Sequence, residues 1–297
     1  MPIRPIKDIL QTEMPAIHVV DVGAMPEYED RYTGLVRQGL ARVTGFEPNP
    51  EQFQRLAVRQ GPYRYLPYFL GDGGLATFHV TRYPGCSSLY EPDPAVIDLF
   101  TSIGAGDDGN FSVISTQAVE TRRLDDISEL GHADFIKLDV QGAELDILRH
   151  GTVTLDGALV VECEVEFLAL YKRQPLFGDV YAFLAAHGFV LHKLIDVQGR
   201  CLRPFVLNNN PYAPISQMLW ADAVFVRDFT RLERFANEEL LNAAVILHEV
   251  YFSYDLAVHF LKEYDRRAGA DLAGSYAAKV FTQGDLPTLY LNLKLGV

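Results

Sequence analysis

Apolar runs and helix-periodic segments alternate along the first two-thirds of the chain. Ile17 to Val22 and Ala41 to Phe46 are almost wholly apolar, the pattern of strands buried on both faces of a parallel sheet. Arg31 to Gly39 and Glu51 to Gln60 read as the helices that follow them, the second stopped by Gly61-Pro62. Arg64 to Leu70, Leu75 to Thr81 and Ile114 to Thr121 read as further strands. The last two flank YPGCSSLYEPDP and a long irregular stretch over 93–110, a length that points to a lid or binding loop. Phe135 to Val140 predicts a central strand that turns through Gln141-Gly142 into a helix beginning near Ala143. Ala158 to Glu164 predicts another strand, and Leu176 to His187 a helix closed by Gly188. Val190 to Ile195 and Leu219 to Val226 complete the strands, and the long connection between them fits an antiparallel addition at the sheet edge. Such alternation predicts an α/β fold with right-handed parallel crossovers. Residues 232–267 predict two helices breaking near Ser253, with Leu241, Val245, His248, Phe252, Leu256 and Phe260 on one stripe, and LPTLYLNLKL a final extended piece. The chain thus divides into a sheet domain over 1–228 and a helical extension over 229–297. Helices so apolar want burial on two sides, against the same chain alone or against a second subunit in a homodimer.

Polar residues inside the apolar runs carry the candidate chemistry. Lys137 and Asp139 alternate with Ile136, Leu138 and Val140, so both leave the pleat on one side, and an unpaired buried charge is costly. They stand near the carboxyl end of a strand, where open α/β sheets place their ligands. A local Lys137–Asp139 ion pair, with Glu144 as a favourable charge in a helix's first turn, is the alternative. After the first strand, Gly23 lets a ligand approach the backbone, and Glu47, 24 residues later at the end of the second, can accept both hydroxyl protons of a ribose. That is a nucleoside-binding arrangement. The chain reads GAMPEYE from Gly23, without the G-x-G-x-x-G cradle of a dinucleotide, so S-adenosylmethionine suits the pocket better than NAD. Asp72 either meets an adenine or ribose edge or serves the Gly-Asp-Gly-Gly turn. Glu162, Glu164 and Glu166 fall at period two, on a substrate mouth or a half-exposed edge. Asp139, Glu164 and Glu166 could hold a metal, but no spacing among them demands one, and no metal ligand is assigned. His132, His150 and His187 qualify by chemistry, with His150 reading as a helix cap.

Composition removes several classes. A net charge of -13 disfavours nucleic acid and anionic membrane surfaces as partners. Three widely spaced cysteines, Cys86, Cys163 and Cys201, argue against a disulfide framework or a zinc cluster. No run is long enough for a signal peptide or a bilayer span, so a soluble, cytoplasmic protein is expected.

Several ordered motifs together carry a resemblance. Asp21-Val22-Gly23-Ala24, GFEPNP around Glu47, TRRLDD, IKLDVQGAELDIL, and EVEFLALYKRQPLF with its following helix resemble the FkbM family of methyltransferases over about Ile17 to Asp228. The resemblance implies a class I methyltransferase Rossmann-like sheet, S-adenosylmethionine as cofactor, and methylation of hydroxyl oxygens on sugars, glycans or other small natural products. It implies cofactor contacts from Asp21, Gly23, Ala24, Glu47, Asp72 and Asp139, and a central K-x-D-x-x-G-x-E element in Lys137, Asp139 and Glu144. Asp139 is then the first choice for base or acceptor-orienting group, with Lys137 fixing it and Glu164 as the alternative base. The chain departs from the family at Met25-Pro26-Glu27-Tyr28, where an asparagine and a further glycine are common, and at Gln141, where an acid is usual. A non-catalytic nucleoside-binding or partner protein keeping the fold would explain both departures.

Overall fold

The computed structural model describes residues 4–14, 16–27 and 29–280, so the extended piece read from LPTLYLNLKL lies outside the described residues. The chain begins α1 (Ile6–Leu10), β1 (Ile17–Val22), α2 (Thr33–Arg37), β2 (Ala41–Phe46), α3 (Pro50–Ala57), β3 (Tyr63–Leu66), β4 (Phe69–Leu70) and β5 (Leu75–Thr81). It continues through α4 (Pro94–Ile97), β6 (Val113–Arg122), β7 (Phe135–Leu138), α5 (Glu144–Arg149), α6 (Thr152–Gly157), β8 (Val160–Glu166) and α7 (Phe177–Ala186). A long hairpin, β9 (Phe189–Gly199) and β10 (Met218–Arg227), precedes α8 (Asn237–Glu249), α9 (Tyr254–Ala268) and α10 (Leu272–Val280). Residues group into two compact units. One comprises His18–Glu29 and Arg42–Asp228; among the described residues the other draws together the chain up to Ile17, Asp30–Ala41 and the chain from Phe229. The amino-terminal helix and α2, grouped with the sheet domain by the sequence reading of 1–228, fall in the helical unit.

In the first unit the principal sheet has seven strands in the order β3-β2-β1-β7-β8-β10-β9. β1, β7 and β8 pair in parallel, as do β2 and β3; β10 runs antiparallel between β8 and β9. This is the mostly parallel Rossmann-like sheet that the resemblance implies, with its antiparallel strand next to the edge. Every residue of β1 is buried, which is why IHVVDV reads as a continuous run. Its polar members are satisfied in place: the His18 imidazole bonds Thr44 Oγ1 at 2.8 Å and the His132 carbonyl at 2.5 Å. The apolar faces of the central strands pack Val20, Ile136, Val161 and Phe225 against Leu145, Leu148 and Leu184 of the covering helices. α3 starts where Asn49 Oδ1 accepts from the Glu51 and Gln52 amides, with Pro50 in the first turn.

Two sequence readings change. Arg64 to Leu70 is split into β3, at the edge of the large sheet, and β4, which pairs with β6 in a separate three-stranded sheet of order β4-β6-β5. The stretch between β5 and β6 is no loose loop. Cys86, Ile97, Phe100 and Phe111 build their own apolar cluster with Tyr171 and Leu219. All three cysteines are buried and free.

The helical unit holds α1, α2, α8, α9 and α10. α8 is buried continuously from Leu240 to His248 within a single chain. The stripe read from the sequence holds except at Phe252, which sits in the turn before α9 with φ +53° and is 56% exposed. His248 bonds the Tyr276 hydroxyl through Nδ1 at 2.7 Å and the Arg4 carbonyl through Nε2 at 3.0 Å, so this buried ring is structurally committed. Among the described residues no helix is long and apolar enough to cross a membrane.

Candidate active site

The carboxyl ends of β1, β2 and β7 open into one cleft of about 840 Å³, mouth included. Gly23 and Met25 follow β1, Glu47, Pro48 and Asn49 follow β2, and Asp139, Val140 and Gln141 follow β7. A wall of Tyr68, Phe69, Leu70 and Phe78 faces them, the two phenylalanines meeting edge to face at 4.9 Å. Pro84, Gly85, Ser87 and Leu89, from the segment after β5, close another side. Pro84, Gly85, Ser87 and Leu89 fall in the insertion read as a lid or binding loop, whereas the aromatic wall was not named from the sequence, because it reaches the cleft through the small β4-β6-β5 sheet rather than from the large one.

Gly23 is placed by necessity. It has φ +86°, and a Cβ there would lie 1.9 Å from the Asp139 carbonyl oxygen. The Asp139 amide in turn donates to the Val22 carbonyl at 3.0 Å, so the tips of β1 and β7 touch through backbone alone. Gly23 and Ala24 both donate to the Phe46 carbonyl at 3.1 Å, which ties in β2.

Glu47 is 8% exposed and accepts the Asn49 amide at 2.6 Å through Oε1. Burial, with smaller repulsions from Asp21 and Glu27, pushes its carboxyl up to about 7 despite that hydrogen bond. A ligand that donates hydroxyl protons to Glu47 needs the carboxylate. Its affinity should therefore fall as the pH drops below about 7, approaching tenfold per unit. Calorimetry with S-adenosylmethionine across that range should show the slope in the native protein and a weak, flat response in Glu47→Gln.

The Lys137 ammonium reaches Asp21 Oδ1 at 3.3 Å, a pair fixed by the parallel register that sets Asp21 beside Lys137. The local Lys137–Asp139 pairing is not formed. β7 ends at Leu138, and the Asp139 carboxylate instead accepts from Gln141 Nε2 at 3.1 Å. The same nitrogen donates to Glu164 Oε2 at 2.7 Å, which brings the β8 carboxylate to the cleft's edge. β8 lies between β7 and β10, so the half-exposed-edge reading of Glu162, Glu164 and Glu166 fails. Burial first, then repulsion from Asp139 and Glu166, raises the Glu164 carboxyl well above the ordinary carboxylate range. Glu144 folds back on the loop before it, its Oε1 accepting the Val140 and Gly142 amides at 2.8 and 3.1 Å.

Other expected contacts lie elsewhere. Asp72 is exposed, accepts the Gly74 amide at 2.8 Å and is absent from the cleft, so the turn reading holds there. Asp21 and Ala24 are buried behind the Gly23 tip rather than on the described cleft lining. Of the three histidines, His150 and His187 bond carbonyls four residues earlier and His132 lies beside Asp134; none lines the cleft. Among the described residues no group of three or more His, Cys, Asp or Glu is arranged to hold a metal ion.

The donor set fits a phosphate-free nucleoside with a cationic centre. An aromatic wall suits a base, a buried carboxylate suits ribose hydroxyls, and Asp139 places a second carboxylate on the lining. A family model described as the Methyltransferase FkbM domain matches residues 21–191. The 2-O-methyltransferase NoeI of Sinorhizobium fredii (strain NBRC 101917 / NGR234) is 27% identical over 206 residues, covering 67% of this chain and 83% of that protein. Among solved structures, a TehB-like SAM-dependent methyltransferase from Corynebacterium glutamicum ATCC 13032 is 15% identical with a TM-score of 0.33, covering 75% of this chain and 85% of that one. Magnesium protoporphyrin IX methyltransferase (ChlM) from Synechocystis PCC 6803, solved with bound SAM, is 11% identical with a TM-score of 0.36, covering 75% of this chain and 76% of that one. The family match runs from Asp21 at the tip of β1 to Leu191 in β9, and on it the chain belongs to the FkbM methyltransferase family, whose methyl donor is S-adenosylmethionine.

Proposed function

We propose that the protein methylates a hydroxyl oxygen of a sugar, glycan or natural product. The observation that supports this most is the meeting of Gly23, Glu47 and Asp139 in one cleft, with a second carboxylate, Glu164, linked to Asp139 through Gln141. S-adenosylmethionine bound there supplies an electrophilic methyl group on a sulfonium sulfur. Glu47 holds the ribose hydroxyls, Gly23 allows the close approach of the chain, and Tyr68, Phe69 and Phe78 flank the base. Asp139 orients the acceptor hydroxyl and takes its proton as the new bond forms. Burial and neighbouring acids hold the Glu164 carboxyl well above the ordinary carboxylate range, which disfavours its ionised form, and Glu164 is the second candidate for base. Lys137, paired with Asp21, supports the β1 and β7 tips instead of steering Asp139 directly. The printed name of the Sinorhizobium relative, a 2-O-methyltransferase, favours oxygen as the accepting atom.

The test is a screen of glycans and hydroxylated small molecules with S-adenosylmethionine, read by mass gain of one methyl and by the position methylated. Methyl on a hydroxyl oxygen is the expected result. Transfer only to nitrogen, sulfur or carbon acceptors would overturn the reading.

A further inference from the structure

Gln141 has an unusual backbone and an unusual set of partners. Its φ is +62°, a region that a long unbranched residue occupies only when its surroundings require it. The side-chain amide sits between two acids, Nε2 giving one N–H to Asp139 Oδ1 at 3.1 Å and the other to Glu164 Oε2 at 2.7 Å. Its own oxygen, Oε1, lies 3.2 Å from the hydroxyl of the buried Tyr171, one of two acceptors that share that hydroxyl's single proton. Its backbone carbonyl accepts from Ser88 Oγ at 2.7 Å, and the Tyr171 hydroxyl also lies 2.9 Å from the Cys86 carbonyl. Gln141 therefore joins β7, β8 and the segment after β5 at one point. Among the described residues, Asp139 Oδ2 receives no side-chain or backbone hydrogen bond.

We propose that Gln141 is a positioning residue: its amide clamps Asp139 and Glu164 together, leaving the second oxygen of Asp139 to the acceptor. The inference rests on the reading of Asp139 as the group that meets the acceptor. A glutamine suits the clamp where an acid would not. An amide can give one N–H to each of two carboxyl groups without adding charge, whereas an acid there would crowd a further carboxyl between them. The two N–H donors favour the ionised form of the carboxyls they touch and so oppose the burial and mutual repulsion that raise Glu164.

The test compares the native protein with Gln141→Met, which keeps length and flexibility and removes both donors, with Tyr171→Phe and with the double variant. The acid limb of the kcat profile, taken at saturating S-adenosylmethionine so that Glu47 ionisation does not set it, should move up by about one pH unit in Gln141→Met, a tenfold change in proton affinity. kcat should fall about ten- to a hundredfold, with the KM for S-adenosylmethionine within about threefold. Tyr171→Phe should move the limb the same way by less, and the double variant should go no further than Gln141→Met, because the hydroxyl acts through the amide. Melting curves from about pH 5 to about pH 8 need no acceptor and keep this inference separable from the hydroxyl reading. Loss of the donor raises the folded-state Glu164 carboxyl further, so stability lost with rising pH should be greater in Gln141→Met than in the native protein. Melting temperatures that differ by a constant amount at every pH, or an acid limb that stays in place, would overturn the clamp. A widening gap without hydroxyl methylation would uphold the clamp and remove only the acceptor assignment.

Discussion

Asp139→Asn should lower turnover by about a hundred- to ten-thousandfold, the usual worth of a positioned general base, while the affinity for S-adenosylmethionine changes by less than about tenfold. Asparagine nearly preserves the shape of the side chain, and its oxygen can still accept the Gln141 amide that now reaches Asp139 Oδ1 at 3.1 Å. What it loses is the ability to take a proton. The variant should therefore keep only a residual rate, while cofactor binding still depends on the ionised Glu47 carboxylate. Single-turnover measurements with an identified acceptor separate the chemical step from product release. A rate equal to the native one would return the role to another group, and Glu164→Gln would then be the informative comparison.

Gly23→Ala should cost both fold and cofactor. An added Cβ would sit 1.9 Å from the Asp139 carbonyl oxygen and 2.9 Å from its carbon, both backbone atoms, and φ is +86°. The opposing loop has little freedom to retreat, because Glu144 holds the Val140 and Gly142 amides and Ser88 holds the Gln141 carbonyl. Relief must come from parting the β1 and β7 tips. A destabilisation of about 3 kcal/mol follows from strain and displaced packing, with a melting temperature lower by roughly 5 to 10 °C. Cofactor affinity should fall by more than about tenfold, since the same displacement moves Asp139 away from Glu47 across the cleft. Native melting together with native affinity would show that this close approach does not shape the site.

How far the site could be read from the chain is clear from individual residues. Gly23 and Glu47 were legible because each ends a strong apolar run, and the carboxyl end of such a run is where an α/β sheet exposes side chains to a ligand. Asp139 was legible for the same reason. Lys137 was found as well, but its partner was not. Asp21 lies 116 residues away in sequence and meets Lys137 only through the β1–β7 register. Asp72 was left between a ligand contact and a turn, because a glycine-rich strand end serves either, and in the fold the Gly74 amide and Thr121 hydroxyl reach its carboxylate. Glu162, Glu164 and Glu166 were left between a substrate mouth and an exposed edge, since period-two polarity cannot tell an acid facing water from one inside a sheet beside other polar groups.

By itself the sequence determined the alternation of elements, the three strand ends that carry Gly23, Glu47 and Asp139, and the buried character of β1. These follow from local period and residue type, which act over a few residues at a time. Only the tertiary structure decided that Lys137 serves Asp21, that Gln141 joins Asp139 to Glu164, and that α1 and α2 belong with the C-terminal helices. Those outcomes depend on which strands and helices become neighbours, and a hydrogen bond or ion pair between distant residues is set by that geometry, to which the local pattern of the chain is blind.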